Sequence, residues 1–216
     1  MDKKLFIFDL DGTLVNAYPA IISSFNFTMS KLGYRPKKEA VIKRAVGWGD
    51  ENLLKPFVLE KDLGKALQIY RSHHVRSLEK RIRLMRHALE LLLCLKKKGA
   101  KLAIASNRPT KYTLLILRIL GLAKVFNKVL CADKLKFGKP NPLILNKIVK
   151  QFNIPKEEVL YIGDMAIDVA TGRRACIDTA AVATGSSSFR ELKEARPTYL
   201  FRDLRALRQA CERIKP

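Results

Sequence analysis

Five short, continuous apolar runs separated by stretches of helical periodicity constrain this chain more than any other feature. The first is Lys4-Leu-Phe-Ile-Phe-Asp9. Lys101-Leu-Ala-Ile-Ala-Ser106, Val129-Leu-Cys-Ala132, Val159-Leu-Tyr-Ile-Gly163 and Thr179-Ala-Ala-Val-Ala183 look alike. A short unbroken apolar run is what a strand buried on both faces requires. Between these runs, residues 84–98 place Leu84, Ala88, Leu91, Leu92 and Leu95 on one helical face, and Gly99 is a natural stop. Residues 112–120 form a second helical stretch, closed by Gly121. Asn141-Pro142 supplies a cap and a first-turn proline ahead of Leu145, Ile148, Val149 and Phe152. Strands alternating with helices predict an α/β fold with a parallel sheet and right-handed crossovers.

Residues 16–83 interrupt the rhythm. Only helical periodicity appears there, over 21–32 and 63–81. The expected organisation is therefore an α/β core built from residues 1–15 and 84–216, with residues 16–83 inserted as a helical unit after the first strand. A chain of 216 residues is long enough to bury such a core without disulfide or metal staples. The four cysteines, Cys94, Cys131, Cys176 and Cys211, make no CxxC pair and fit no zinc spacing, which predicts buried, reduced thiols. The apolar run at 5–8 and the leucine-rich stretch at 89–95, broken by Glu90, fall far short of the ~20 residues that span a bilayer. Asp9 and Asp11 cut the N-terminal apolar stretch before a signal-peptide core can form. A cytoplasmic protein with no membrane partner is the expectation.

The chain carries 42 Lys and Arg against 20 Asp and Glu, a formal net charge of +22. Such a surface attracts polyanions, and it also steers small anions. The excess is spread along the chain, and its densest run, Lys96-Lys97-Lys98, ends a helix where cations suit the dipole. No nucleic-acid-binding motif accompanies it. Nucleic acid as a main partner is therefore disfavoured but stays as the alternative of another class: a basic binding protein with an idle enzyme fold.

In a parallel sheet, ligands sit beyond the carboxyl ends of the strands. The first strand delivers Asp9-Leu10-Asp11-Gly12-Thr13, and the second delivers Ser106-Asn107-Arg108. The loop after the third carries Gly138-Lys139-Pro140-Asn141-Pro142, and the fourth delivers Gly163-Asp164-Met165-Ala166-Ile167-Asp168. Asp9, Asp11, Asp164 and Asp168 cannot crowd together uncompensated. A hard divalent cation resolves the crowding, and Mg2+ is the natural choice when a phosphate completes its shell. The Ser106 hydroxyl and the Lys139 ammonium suit phosphoryl oxygens. A carboxylate facing a phosphoryl group gives an aspartyl-phosphate, and a second carboxylate two residues on can shuttle the proton.

These motifs, in this order, resemble the haloacid dehalogenase-like superfamily over essentially the whole chain. The resemblance implies a Rossmann-like sheet of order 5-4-1-2-3 with a small helical cap of the C1 type at 16–83. It implies Asp9 as nucleophile and Asp11 as general acid and base. Mg2+ would be held by Asp9, the backbone carbonyl of Asp11, and Asp164, with Asp168 assisting. Ser106 and Lys139 would bind the phosphoryl group, joined by Asp11, Gly12 and Asn107 as phosphate-binding positions. Asp11 argues against a true dehalogenase or phosphonate hydrolase, because those relatives lack it.

Val46-Gly47-Trp48-Gly49-Asp50-Glu51 resembles the glycine-rich cap loop of the phosphoglycolate phosphatase-like branch. Gly47, Trp48 and Gly49 are thus specificity candidates, with Trp48 either lining the pocket or packing between insertion and core. Asp50 stands where β-phosphoglucomutase-like relatives have arginine, and Thr13 where they have valine. Lys43 and Arg44 are either a solvated face or a seat for a second anionic group. His73-His74 reads as surface or packing, since adjacent helical residues point apart. Cys176 stands where the family usually has glycine. The resulting expectation is a Mg2+-dependent phosphatase, monomer or homodimer, acting on a small phosphorylated metabolite such as phosphoglycolate. A mutase or a pyrophosphatase on the same core is the alternative.

Overall fold

The computed structural model describes residues 3–212; Met1 and Asp2, the start of the basic N-terminal run, lie outside the described residues. Strand β1 (Leu5–Phe8) leads through β2 (Val15–Asn16) into helices α1 (Tyr18–Lys31), α2 (Glu39–Ala45), α3 (Asp50–Leu54) and α4 (Glu60–Arg81), and β3 (Arg83–Leu84) brings the chain back. Then come α5 (Ala88–Lys97), β4 (Lys101–Ser106), α6 (Thr110–Ile119), β5 (Lys128–Cys131), α7 (Leu143–Phe152) and β6 (Val159–Gly163). The described chain closes with α8 (Ala166–Ala175), β7 (Asp178–Val182), α9 (Phe189–Glu194), β8 (Tyr199–Phe201) and α10 (Leu204–Glu212).

The main sheet is parallel, in the order β5-β4-β1-β6-β7-β8. Read from its other edge, the five anticipated strands follow the order 5-4-1-2-3, and β8 is an added sixth strand beside β7. Its three half-buried residues are too short for a periodic signal. β1 lies at the centre, with Phe8 level with both Ile104 of β4 and Ile162 of β6. The residues following these three strands are therefore brought to one edge of the sheet.

Alternate residues of β1 enter different cores. Phe6 and Phe8 join one cluster with Leu91, Leu95, Ile116 and Leu207, whereas Leu5 and Ile7 join another with Ile144, Leu145 and Ile148. The pleat sends successive side chains to opposite faces, and helices cover both. The first cluster continues through Ile21, Phe25 and Met29 of α1 and Ala66, Tyr70 and Leu78 of α4, which pack against each other.

β2 and β3 form a small antiparallel ribbon, Val15 opposite Leu84 and Asn16 opposite Arg83. Both ends of the helical segment therefore leave the sheet side by side. This ribbon corrects the expected helix at 84–98. Leu84 satisfies helical spacing but is taken by strand pairing, and α5 begins only after His87, which sits at φ 66°. Cys176 occupies the left-handed region (φ 55°) at the end of α8, the conformation that glycine adopts at lowest cost. All four cysteines are free, but only Cys131 and Cys211 are buried; Cys94 is half-buried and Cys176 exposed, which corrects the expectation of four buried thiols.

Candidate active site

Lys139 anchors the site from below. Its ammonium donates to Asp9 Oδ1 at 2.7 Å, Asp168 Oδ1 at 2.7 Å and the Tyr161 hydroxyl at 3.1 Å. Tyr161 in turn donates to Asp168 Oδ1 at 2.7 Å, and Asp168 Oδ2 accepts the Met165 N–H at 3.1 Å. Burial pulls the Lys139 ammonium down, but the charges of Asp168 and Asp9 outweigh it and hold it well above its usual range. The loop before Lys139 is tied down by Asn107, whose side-chain oxygen accepts the Lys139 N–H at 2.8 Å.

Asp164 is fully buried beside them. Thr13 Oγ1 donates to its Oδ1 at 2.9 Å, and the Ser186 N–H donates to its Oδ2 at 3.1 Å. Gly12 lies directly against it: at φ +81°, a β-carbon there would sit 2.5 Å from Asp164 Oδ2. Burial, then the charges of Asp168 and Asp9, push Asp164 well above the usual carboxylate range. Burial likewise drives Asp9 up to about 7, against the pull of Lys139.

One oxygen from each of Asp9, Asp164 and Asp168 lies within 4.8 Å of the others. Against these three buried carboxylates stands one ammonium, Lys139. The cluster is therefore short of positive charge, and its donors are all hard oxygens. That combination fits a divalent cation with oxygen ligands.

Above the carboxylates opens a cleft of about 540 Å³ lined by Asp9, Asp11, Ser106, Asn107, Arg108 and Lys139 from the sheet edge. The helical segment supplies its other wall, including Gly47, Gly49, Asp50, Tyr70 and His74. Gly47, at φ +109°, seats on Met165, whose sulfur would lie 2.5 Å from a β-carbon there. Asn107 Nδ2 donates to the Gly47 carbonyl at 2.9 Å and to that of Lys139 at 3.2 Å. With Oδ1 already on the Lys139 N–H, the Asn107 amide joins the two loops, its donor and acceptor both taken up within the protein. Ser106 Oγ accepts the Arg108 N–H at 3.2 Å.

Alternatives that the sequence left open are decided here. Trp48 does not line the cleft and is 46% exposed, which removes the pocket-lining alternative. Lys43 pairs with Glu39, and Arg44 forms a forked pair with Glu191 Oε1 and Oε2 at 2.7 and 3.0 Å, so neither faces the cleft. His74 is fully buried on the cleft wall, the packing alternative for that histidine. Sequence reading did not assign Arg108, His74, Tyr161 or Gly185 to the site. Arg108 stood in the strand-end tripeptide Ser106-Asn107-Arg108, the one signal available for it; nothing marked the others.

A family model described as haloacid dehalogenase-like hydrolase matches residues 6–182. A phosphoglycolate phosphatase of Psychrobacter arcticus is 30% identical, over 96% of this chain and 95% of its own. A pyrophosphatase of Oceanobacillus iheyensis is 25% identical over 95% of each chain. A solved structure from Haemophilus somnus, described as a predicted phosphoglycolate phosphatase, superposes with a TM-score of 0.91 at 24% identity, over 98% of this chain and 99% of that one. That last likeness concerns the fold.

Proposed function

The chain belongs to the haloacid dehalogenase-like hydrolase family, and from that premise we propose that it is a Mg2+-dependent phosphatase that cleaves a small phosphate monoester through a phosphoaspartate on Asp9. One observation carries the reading: three buried carboxylates with oxygens within 4.8 Å of one another lie beneath a cleft that also holds Asp11, Ser106 and Lys139. Asp9, Asp164, Asp168 and the Asp11 carbonyl would hold the cation, which when bound supplies neutralisation of phosphoryl charge.

The chain's own groups divide the rest. Asp9 attacks phosphorus in line with the leaving oxygen, while Asp11 gives that oxygen a proton and the alcohol departs. Asp11 then takes a proton from the water that attacks the phosphoaspartate, releasing phosphate and restoring Asp9. Lys139, fixed between Asp9 and Asp168, aims the nucleophile and balances charge on the phosphoryl oxygens. The Ser106 hydroxyl donates to one of those oxygens. Residues 16–83 act as a cap, joined to the core by the Gly47–Asn107 and Arg44–Glu191 contacts.

The named activity of the Psychrobacter relative makes 2-phosphoglycolate the first substrate to try. The test is turnover of an aryl phosphate and of 2-phosphoglycolate with Mg2+ and with chelator, in the native protein and in Asp9→Asn. Hydrolysis that needs the metal and vanishes in Asp9→Asn is expected; undiminished turnover in Asp9→Asn rules out the covalent route. The Oceanobacillus relative favours a second reading, pyrophosphate hydrolysis, which the same assay with pyrophosphate separates. A mutase is disfavoured because Asp50 occupies the mutase arginine position and is held by Arg71 at 2.7 Å.

A further inference from the structure

Besides Lys139, the residues lining the cleft include one other permanent cation, Arg108. Its side chain is buried, 7% exposed, and its fork is filled by this chain's own carboxylate. Nε donates to Asp11 Oδ2 at 2.8 Å and Nη2 to Asp11 Oδ1 at 2.9 Å. The remaining arm, Nη1, lies 2.8 Å from His74 Nε2. A guanidinium only donates, so His74 Nε2 accepts, and its proton sits on Nδ1, 3.1 Å from Ser24 Oγ. Ser24 passes its own hydrogen to the Ala20 carbonyl at 2.9 Å. The guanidinium is thus fixed from behind by a chain of directed hydrogen bonds reaching into α4 and α1.

With both oxygens of Asp11 in that fork, Asp11 is not free to serve a leaving oxygen. Lys139 cannot relieve it, because its three donors are committed to Asp9, Asp168 and Tyr161. We propose that Arg108 is the specificity-determining residue: its fork receives a second anionic group of the substrate, carboxylate or phosphate, and in doing so frees Asp11 for proton transfer. The seat already holds a carboxylate, that of Asp11, in the two-bond geometry that planar oxyanions favour. Ser106, the phosphoryl-binding candidate, is two residues away on the same strand end, so the second anion lies within a few bonds of the ester. His74 is a positioning residue that sets the plane of the guanidinium. The inference rests on the phosphatase reading above and names its substrate class: small phosphate esters bearing another anion.

The test compares kcat/KM for ethyl phosphate, which has no second anion, 2-phosphoglycolate, with a carboxylate, and pyrophosphate, with a second phosphate. The native protein should prefer one of the two anion-bearing substrates over ethyl phosphate by roughly 100-fold, and which one identifies the source of the anion. In R108Q that ratio should collapse to below about 10, with R108K between because an ammonium lacks the fork. H74Q, which keeps an acceptor, should retain the ratio, and H74L should lose it. A ratio unchanged in R108Q, or absent in the native protein, overturns the assignment. Calorimetry with 3-phosphonopropionate, phosphonoacetate's longer homologue, against propylphosphonate reads the subsite without turnover. Arg108-dependent preference for the carboxylate there, with no hydrolysis of any ester, sinks the phosphatase reading and leaves the subsite standing. Hydrolysis with no Arg108-dependent preference does the reverse.

Discussion

Gly185 presses so closely on Asp164 that a β-carbon there would overlap the Asp164 carboxylate. The loop after β7 therefore closes the buried side of the carboxylate cluster, with the Ser186 N–H on the same oxygen. Gly185→Ala must displace Asp164. The Mg2+ concentration for half-maximal turnover should rise roughly 10- to 100-fold, the usual effect of disturbing what supports a ligand. A Mg2+ titration of activity reads this directly, and an unchanged requirement would remove Asp164 from the metal shell.

Lys139 compensates two buried carboxylates at 2.7 Å each. Lys139→Met keeps much of the volume and removes the charge. Leaving Asp9 and Asp168 unpaired should cost about 3–5 kcal/mol in urea unfolding with chelator present. Turnover should be lost as well. A variant as stable as the native protein would mean that the carboxylates are relieved by protonation alone.

His74 gives the fold an acid sensitivity. Burial first, then the Arg108 charge, hold it down to about 2, below its usual 6.5. Arg108, Tyr70, Tyr112 and Ser24 face it. The unfolded chain therefore binds a proton near pH 6.5 that the folded chain refuses, so this contribution to stability is present above 6.5 and lost as pH falls. Between pH 7.5 and 5.5 the loss is about 1.4 kcal/mol. In His74→Gln that part of the slope should vanish, as measured by unfolding free energy at both pH values. An identical slope would show that His74 is protonated in the folded protein.

The net charge of +22 should draw anionic substrates. Raising NaCl from about 20 to about 300 mM shortens the screening length several-fold, and kcat/KM should fall by at least about 3-fold while kcat holds. A flat profile would mean that the surface charge serves something other than substrate capture.

The alternation of apolar runs and helical stretches was enough to place five strands of a parallel sheet, because a strand buried on both faces has little choice of composition; the order of those strands was what the family resemblance implied. The same logic placed Asp9, Ser106 and Asp164 at strand ends, since register is carried by the runs themselves. It was not enough for β8, whose three half-buried residues look like loop, nor for Leu84, which fits a helix face and a ribbon equally well. Trp48 shows the limit for the insertion: a glycine-flanked aromatic marks a tight loop but not the direction in which its ring points.

What the amino-acid order determined by itself was local and periodic: which segments become buried strands, and which acids, hydroxyl and lysine follow them. Only the tertiary structure decided which of those groups touch. Arg108 and His74 are far apart in sequence, on different elements, and each alone reads as an ordinary surface or packing residue. Their meeting with Asp11 depends on how α4 seats over the end of β4, a packing outcome of many apolar contacts that no spacing along the chain encodes.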